Sequence, residues 1–237
     1  MSQSSFGTSK NTILTRIPQP CLDSLRPHLK GLELEVRKGI YEPNQPVQYA
    51  YFVETGMISV VSVMQDGDSI EVGTIGKEGM AGGFLLLGAT SVPYQHFVQI
   101  PGYAYRIDAE VLKGEAVRHH EFRDLVLRYQ VAFQTQTMQA AACNGLHSVS
   151  QRCCRWLLMS QDRMNSDSDT VPLTHEFLGL MLGVRRASVT EVLRPLQERG
   201  WIQSKRGEIA ILDRKGLESG SCECYRIITD QHKRLLD

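Results

Sequence analysis

The chain has 237 residues, 42% of them apolar and 22% charged, with 26 basic side chains balancing 26 acidic ones. This is ordinary globular composition, with disordered character confined to the first dozen residues, rich in Ser, Thr and Asn. Residues 1–10 lack the apolar core of an export signal, no stretch approaches the ~20 apolar residues of a membrane span, and zero net charge announces no nucleic acid through the overall field. The expectation is a soluble, cytoplasmic protein with no membrane partner. In that compartment the six cysteines are thiols rather than disulfides.

From residue 32 to 108 the signals are β. Leu32, Leu34 and Val36 alternate with polar residues, residues 57–63 do so approximately, and Gly and Pro punctuate the runs. Asp66-Gly67 is the strongest hairpin signal and predicts a type I′ turn. Many short strands at this spacing read as a compact antiparallel barrel or sandwich. From Glu121 to about Leu146 the period changes: Leu125, Tyr129, Ala132, Phe133, Gln136, Ala140, Cys143 and His147 step by three and four. That predicts a helix of about six turns, and the small residues 140–142 late in its seam suit pairing of two copies. Asn144-Gly145 reads as a break, with a second helix over about 148–164 and a polar connector at 166–170.

Thr174 is a good N-cap with Glu176 in the first turn. A short helix to Leu182, a turn at Gly183-Val184, and a helix over about 186–199 stopped by Gly200 follow. Two strands flank the turn 204–207, and Asp213 caps a last helix, broken near 219–221. Two helices joined by a glycine turn and then a hairpin make a winged helix-turn-helix. Leu178, Met181 and Leu182 face Val189, Val192, Leu193 and Leu196 inside the corner, with Gly179 allowing close packing. Thr174, Arg185, Arg186, Ser188, Thr190, Glu191 and Arg194 remain for DNA, with Lys205 and Arg206 at the hairpin tip. Arginines suit guanine edges and phosphates, hydroxyls suit phosphates, and a carboxylate accepts from a cytosine amine. Residues 185–215 hold eight basic residues against four acidic ones, a local excess inside a neutral chain.

The run 173–202, read with 206–213, resembles the DNA-binding domain of the Crp/Fnr regulators. Gly39, residues 51–56, Asp66-Gly67 and residues 76–79 resemble the turn positions of that family's cyclic-nucleotide-binding-type jelly roll. The resemblance implies an α+β chain: a tail (1–18), an antiparallel β-roll sensor (19–120), a dimerisation helix and hinge (121–147) and a winged helix-turn-helix (148–237). It also implies a homodimer, double-stranded DNA as ligand, and RNA polymerase as a further partner. The family's Arg-Glu pair at the start of the recognition helix is Arg186-Ala187 here, and its later Arg is Glu191, so base preference differs. The family seats a cyclic-nucleotide phosphate on a Gly-Glu turn and an Arg. Residues 80–88 have no Glu after the glycines, and 89–99 contain no Arg. Burying a phosphate without a cation is costly, so cyclic AMP is not the expected ligand. The amides of Gly82 and Gly83 are candidates for another anion, and Gln136 and Thr137 for effector contacts.

No metal site and no cofactor are assigned. With only Cys21 near the N-terminus, an iron–sulfur switch lacks its cysteine set. Cys153-Cys154 read as buried thiols. Cys222-x-Cys224 has metal-ligand spacing, but its only neighbouring histidine in sequence is His232. No nucleophile elbow, P-loop or dinucleotide fingerprint marks an enzyme. The competing reading is a β-roll sensor for another small ligand or a redox signal, with DNA binding weakened or lost.

Overall fold

A computed structural model describes residues 9–164 and 169–237. The first eight residues of the expected tail, and 166–168 of the expected connector, lie outside the described residues. The chain runs α1 (Thr12–Arg16), α2 (Gln19–Leu25), β1 (Lys30–Leu34), β2 (Gly39–Tyr41), β3 (Tyr49–Val63), β4 (Ser69–Ile75), β5 (Met80–Ala81), β6 (Gln95–Asp108), α3 (Ala109–Arg118), α4 (His120–Leu146) and α5 (Val149–Arg163). Then come β7 (Thr170–Pro172), α6 (His175–Leu182), α7 (Arg186–Glu198), β8 (Ile202–Lys205), β9 (Glu208–Ile211), α8 (Arg214–Gly220) and α9 (Cys224–Leu236). Mixed helix and antiparallel sheet, as expected, is what the chain adopts.

Two compact units form. One comprises residues up to Val60, Thr74–Gln134 and Gln231–Asp237; the other comprises Val61–Gly73 and Thr135–Asp230. The first is built on a six-stranded sheet in the order β1-β6-β3-β4, with β2 on β6 and β5 on β3. Strand β3 is buried along almost its whole length rather than on alternate residues. Residues expected in the tail are part of the core here. Ile13 and Leu14 of α1 are fully buried and join Phe52, Leu112, Phe122 and Tyr129 in one cluster. Asn11 fixes that helix: its Oδ1 accepts from Ile13 N and Leu14 N, while its Nδ2 donates to the carbonyls of Val53 and Gly79. The C-terminal end, expected in the DNA-binding domain, also belongs to this unit, because Leu236 buries itself in the same core.

Three local expectations change. The hairpin at Asp66-Gly67 forms, but not as type I′. Gly67 N donates to Met64 O, Met64 N to Asp68 O, and only Gly67 has positive φ (89°). That is a type I turn closed by a left-handed glycine, the three-residue loop. Helix α3, unread in the sequence, is capped by the Asp108 carboxylate, which accepts from Glu110 N and Val111 N. Helix α4 does not break at Asn144-Gly145 but continues to Leu146. The break comes at Ser148, where a reciprocal capping box with Gln151 starts α5.

Asn11→Ala removes an N-cap and leaves two buried carbonyls without their donor. We expect a loss of roughly 2–4 kcal/mol, a cap plus the buried unsatisfied groups. It would be read as a lower denaturation midpoint at unchanged slope; an unmoved midpoint contradicts the role given to Asn11.

Candidate nucleic-acid interface and neighbouring sites

The second unit contains a three-stranded antiparallel sheet in the order β7-β9-β8, with Lys205 opposite Glu208 at the β8–β9 turn. Helices α6 and α7 meet at a corner whose inside is Leu178, Met181, Leu182, Val189, Leu193 and Leu196, all buried; Val192, expected there too, is half-buried. The corner is tight because Gly179 has no side chain: a Cβ there would stand 2.8 Å from the carbonyl oxygen of Val184. Thr174 caps α6, its hydroxyl accepting from Phe177 N. Helix α7 tolerates Pro195 in its interior.

The corner turns one face of α7 outward. Thr174, Arg185, Arg186, Thr190, Glu191, Arg194, Lys205 and Arg206 are exposed, and Ser188 is half-buried. Arg194 pairs with Glu198 through its Nε at 2.9 Å. Two contacts that the sequence did not suggest tie the hairpin to this face. His175 places Nε2 2.9 Å from Ser204 Oγ and Nδ1 3.4 Å from Thr190 Oγ1. Ser204 N donates to Gln197 Oε1 at 2.9 Å. A histidine at the first position of α6 was the only sequence signal. The tip of the β3–β4 hairpin, Val61–Gly73, also belongs to this unit. Glu71 accepts from Trp156 Nε1 at 2.8 Å, and Ile70 lies so close to Gly183 that a Cβ there would meet it at 2.7 Å.

A Crp-like helix-turn-helix model matches residues 151–219, and a cyclic nucleotide-binding domain model matches residues 33–119. The chain belongs to the Crp/Fnr-type regulators. Solved structures agree on the fold. FixK2 from Bradyrhizobium japonicum is 17% identical with a TM-score of 0.69, covering 82% of this chain and 98% of that one. A putative regulator of the crp/fnr family from Eubacterium rectale is 18% identical with a TM-score of 0.68, covering 92% and 99%. A CRP-family regulator from Thermus thermophilus is 21% identical with a TM-score of 0.65, covering 80% and 96%. No curated protein matches the sequence. The Crp/Fnr fold carries a DNA-binding domain and no enzyme chemistry, and none of the described helices is long and apolar enough to cross a membrane.

The candidate effector residues are Gly82, Gly83, Gln136 and Thr137. Here Gly82 and Gly83 are backed by protein: a Cβ on Gly82 would lie 2.7 Å from the Tyr41 hydroxyl, and one on Gly83 2.1 Å from Gln130 Nε2. Tyr41 packs with Tyr51, Phe84 and His96; burial lowers His96 to about 4, so it is neutral. A cleft of about 210 Å³ beside Tyr41 is lined by Glu42, Tyr49 and Tyr51 among others, and the Arg106 guanidinium stacks on the Tyr49 ring at 4.6 Å from its centroid. Gln136 is buried and accepts from Arg163 at 3.2 Å, and Thr137 is half-buried on the same helix.

Cysteines 153 and 154 are buried, and burial raises both thiols, Cys154 to about 11. The remaining cysteines of this unit lie beside a histidine that sequence spacing did not pair with them. Cys222 and Cys224 are joined by Cys143 and His147, with all four ligand atoms within 4.8 Å of one another. Cys143 and His147 stand four residues apart on the long-helix seam, so half of the set was visible in the sequence. Its convergence with residues about 80 positions later was not.

Gly179→Val forces backbone apart at the α6–α7 corner. Overpacking of this kind costs typically 1–3 kcal/mol. We expect faster amide exchange in α6 and α7 and loss of duplex binding, with exchange in β1 and β6 unchanged; protected α6 and α7 amides would contradict the packing described.

Proposed function

We propose that the chain is a sequence-specific transcription regulator. It binds duplex DNA as a homodimer through α7, with Lys205 and Arg206 on the flanking backbone, and it does not respond to cyclic AMP. The observation that carries this is the outward row Arg185, Arg186, Thr190, Glu191 and Arg194 on one helix beside the basic hairpin tip. Arginines and hydroxyls along a helix meet base edges and phosphates in the major groove, and a wing contact to backbone sets orientation. His175 holds Thr190 and the wing residue Ser204 in one network, which supports one continuous DNA-facing surface. Thr174, at the exposed N-terminus of α6, would bind phosphate.

Pairing is proposed through α4, on a face other than its internal seam. The seam is spent inside the chain: Leu125, Tyr129, Ala132, Gln136, Ala140 and Cys143 are buried. Val131, Met138, Ala142 and Gly145 are exposed instead. Their spacing of seven, four and three fits a helix-to-helix seam of period 3.5, and small residues let two helices approach closely. The sensor reading rests on the protein groups behind Gly82 and Gly83 and on residues 80–99, which carry neither a Glu after the glycines nor an Arg to compensate a cyclic phosphate. Gly82, Gly83, Gln136 and Thr137 remain the candidates should another effector enter. A regulator of this kind works in the cytoplasm, with RNA polymerase as the machinery it assists or obstructs.

Arg186→Ala should abolish protection of target promoters while the dimer stays folded; an unchanged footprint refutes the assignment. Calorimetry with cyclic AMP should show no heat of binding, and saturable micromolar binding would overturn the sensor reading.

A further inference from the structure

We propose that Cys143, His147, Cys222 and Cys224 together hold one zinc-class divalent ion. It would clamp the C-terminal end of α4 to the segment after α8 and the first residue of α9. The inference goes beyond the DNA-binding reading and does not depend on it.

The geometry is that of a single-ion site. Cys143 Sγ lies 3.5 Å from Cys222 Sγ, and Cys224 Sγ lies 3.4 Å from His147 Nδ1. Around a tetrahedral zinc with Zn–S near 2.3 Å and Zn–N near 2.0–2.1 Å, sulfur–sulfur edges are about 3.8 Å and sulfur–nitrogen edges about 3.5 Å. These two pairs therefore need to move only a few tenths of an ångström. Thiolates bound to different irons of a cluster stand farther apart than the 4.8 Å that contains the whole set, so one ion fits and an iron–sulfur cluster does not. Three sulfurs and one imidazole form a closed structural donor set, with no open position for a reacting water.

Its surroundings are those of a metal site. His147 Nε2 is 3.3 Å from the Glu223 carboxylate. That contact orients the ring and leaves Nδ1 for the metal, the usual carboxylate–histidine arrangement behind a zinc ligand. The three sulfurs are buried. Arg152 and Arg155 on α5 are buried at 8% exposure. Neither forms an ion pair among the described residues, and the Nε of each lacks an acceptor. A divalent ion with three thiolates carries one net negative charge, which a buried guanidinium balances. Arg152 reaches the end of α4 directly, its Nη1 donating to Asn144 Oδ1 at 3.1 Å. The thiol protons leave to solvent as the metal–sulfur bonds form.

His147 sits between the end of α4 and the Ser148 cap of α5. A metal there fixes the turn by which the long helix enters the rest of its unit, so metal loading would stiffen that turn.

The test is metal content and spectroscopy of the full chain, purified reduced and without chelator. One zinc per chain is expected. Cobalt(II) exchanged into its place should give the strong visible bands of a tetrahedral ion with thiolate-to-cobalt charge transfer. Cys224→Ser should lose those bands and Cys153→Ser keep them. Glu223→Gln should weaken binding about 10- to 100-fold, as loss of an outer-shell partner does. A folded wild-type chain that carries no metal and leaves cobalt with the weak spectrum of its hydrated ion overturns the proposal. So does a Cys143–Cys222 disulfide in the freshly purified protein. Should Cys224→Ser fail to fold, the wild-type cobalt spectrum still decides.

Discussion

A helix of 27 residues can turn only one stripe toward its own chain, and α4 uses that stripe to take part in both compact units. In the first, the Tyr129 ring occupies the space where a Gly79 side chain would begin, 2.0 Å from an ideal Cβ. The Gln130 amide does the same at Gly83. These glycines are therefore required by the helix lying on them, and the loop at 79–83 can move away from α4 only by giving up that packing. In the second unit the same stripe ends in Cys143, at the cysteine and histidine cluster. The opposite stripe holds exposed Val131 and Met138, apolar side chains that a lone chain leaves in water.

The DNA-binding half was legible because its determinants are local. Thr174, Gly179, Gly183 and Gly200 each act within a few residues, and the apolar residues of α6 and α7 keep helical period. The basic face follows as what the corner leaves outside. The first unit was harder to read. Helices α1 and α2 have five and seven residues, too short to show a period. The stability of α1 comes from Asn11 reaching carbonyls 42 and 68 positions away. The proposed pairing face was hard to read for a related reason. The most regular seam in the α4 sequence is the one its own chain buries, while the exposed stripe mixes Val and Met with Ala and Gly and shows little contrast.

Charge makes the same point about locality. A neutral chain has no net charge to bring it to DNA, so in the proposed reading association depends on the few cations that the corner and hairpin present together. The salt dependence of such binding scales with the number of phosphates contacted, so a small set of contacts gives a shallow slope, and specificity then rests on how rigidly those side chains are held. The His175 bridge, the Gln197–Ser204 bond and the Ile70 contact at Gly183 all supply that rigidity from inside one unit.

The central claim is that two copies of α7 are presented by a symmetric pair of chains. It is tested most directly by measuring affinity for duplexes that carry the two half-sites at varied spacing. The account predicts tight binding at about one helical turn, ~34 Å between half-site centres. Affinity should collapse when half a turn is inserted and partly return when a full turn is restored. Affinity indifferent to spacing, or equal for a single half-site, would contradict it.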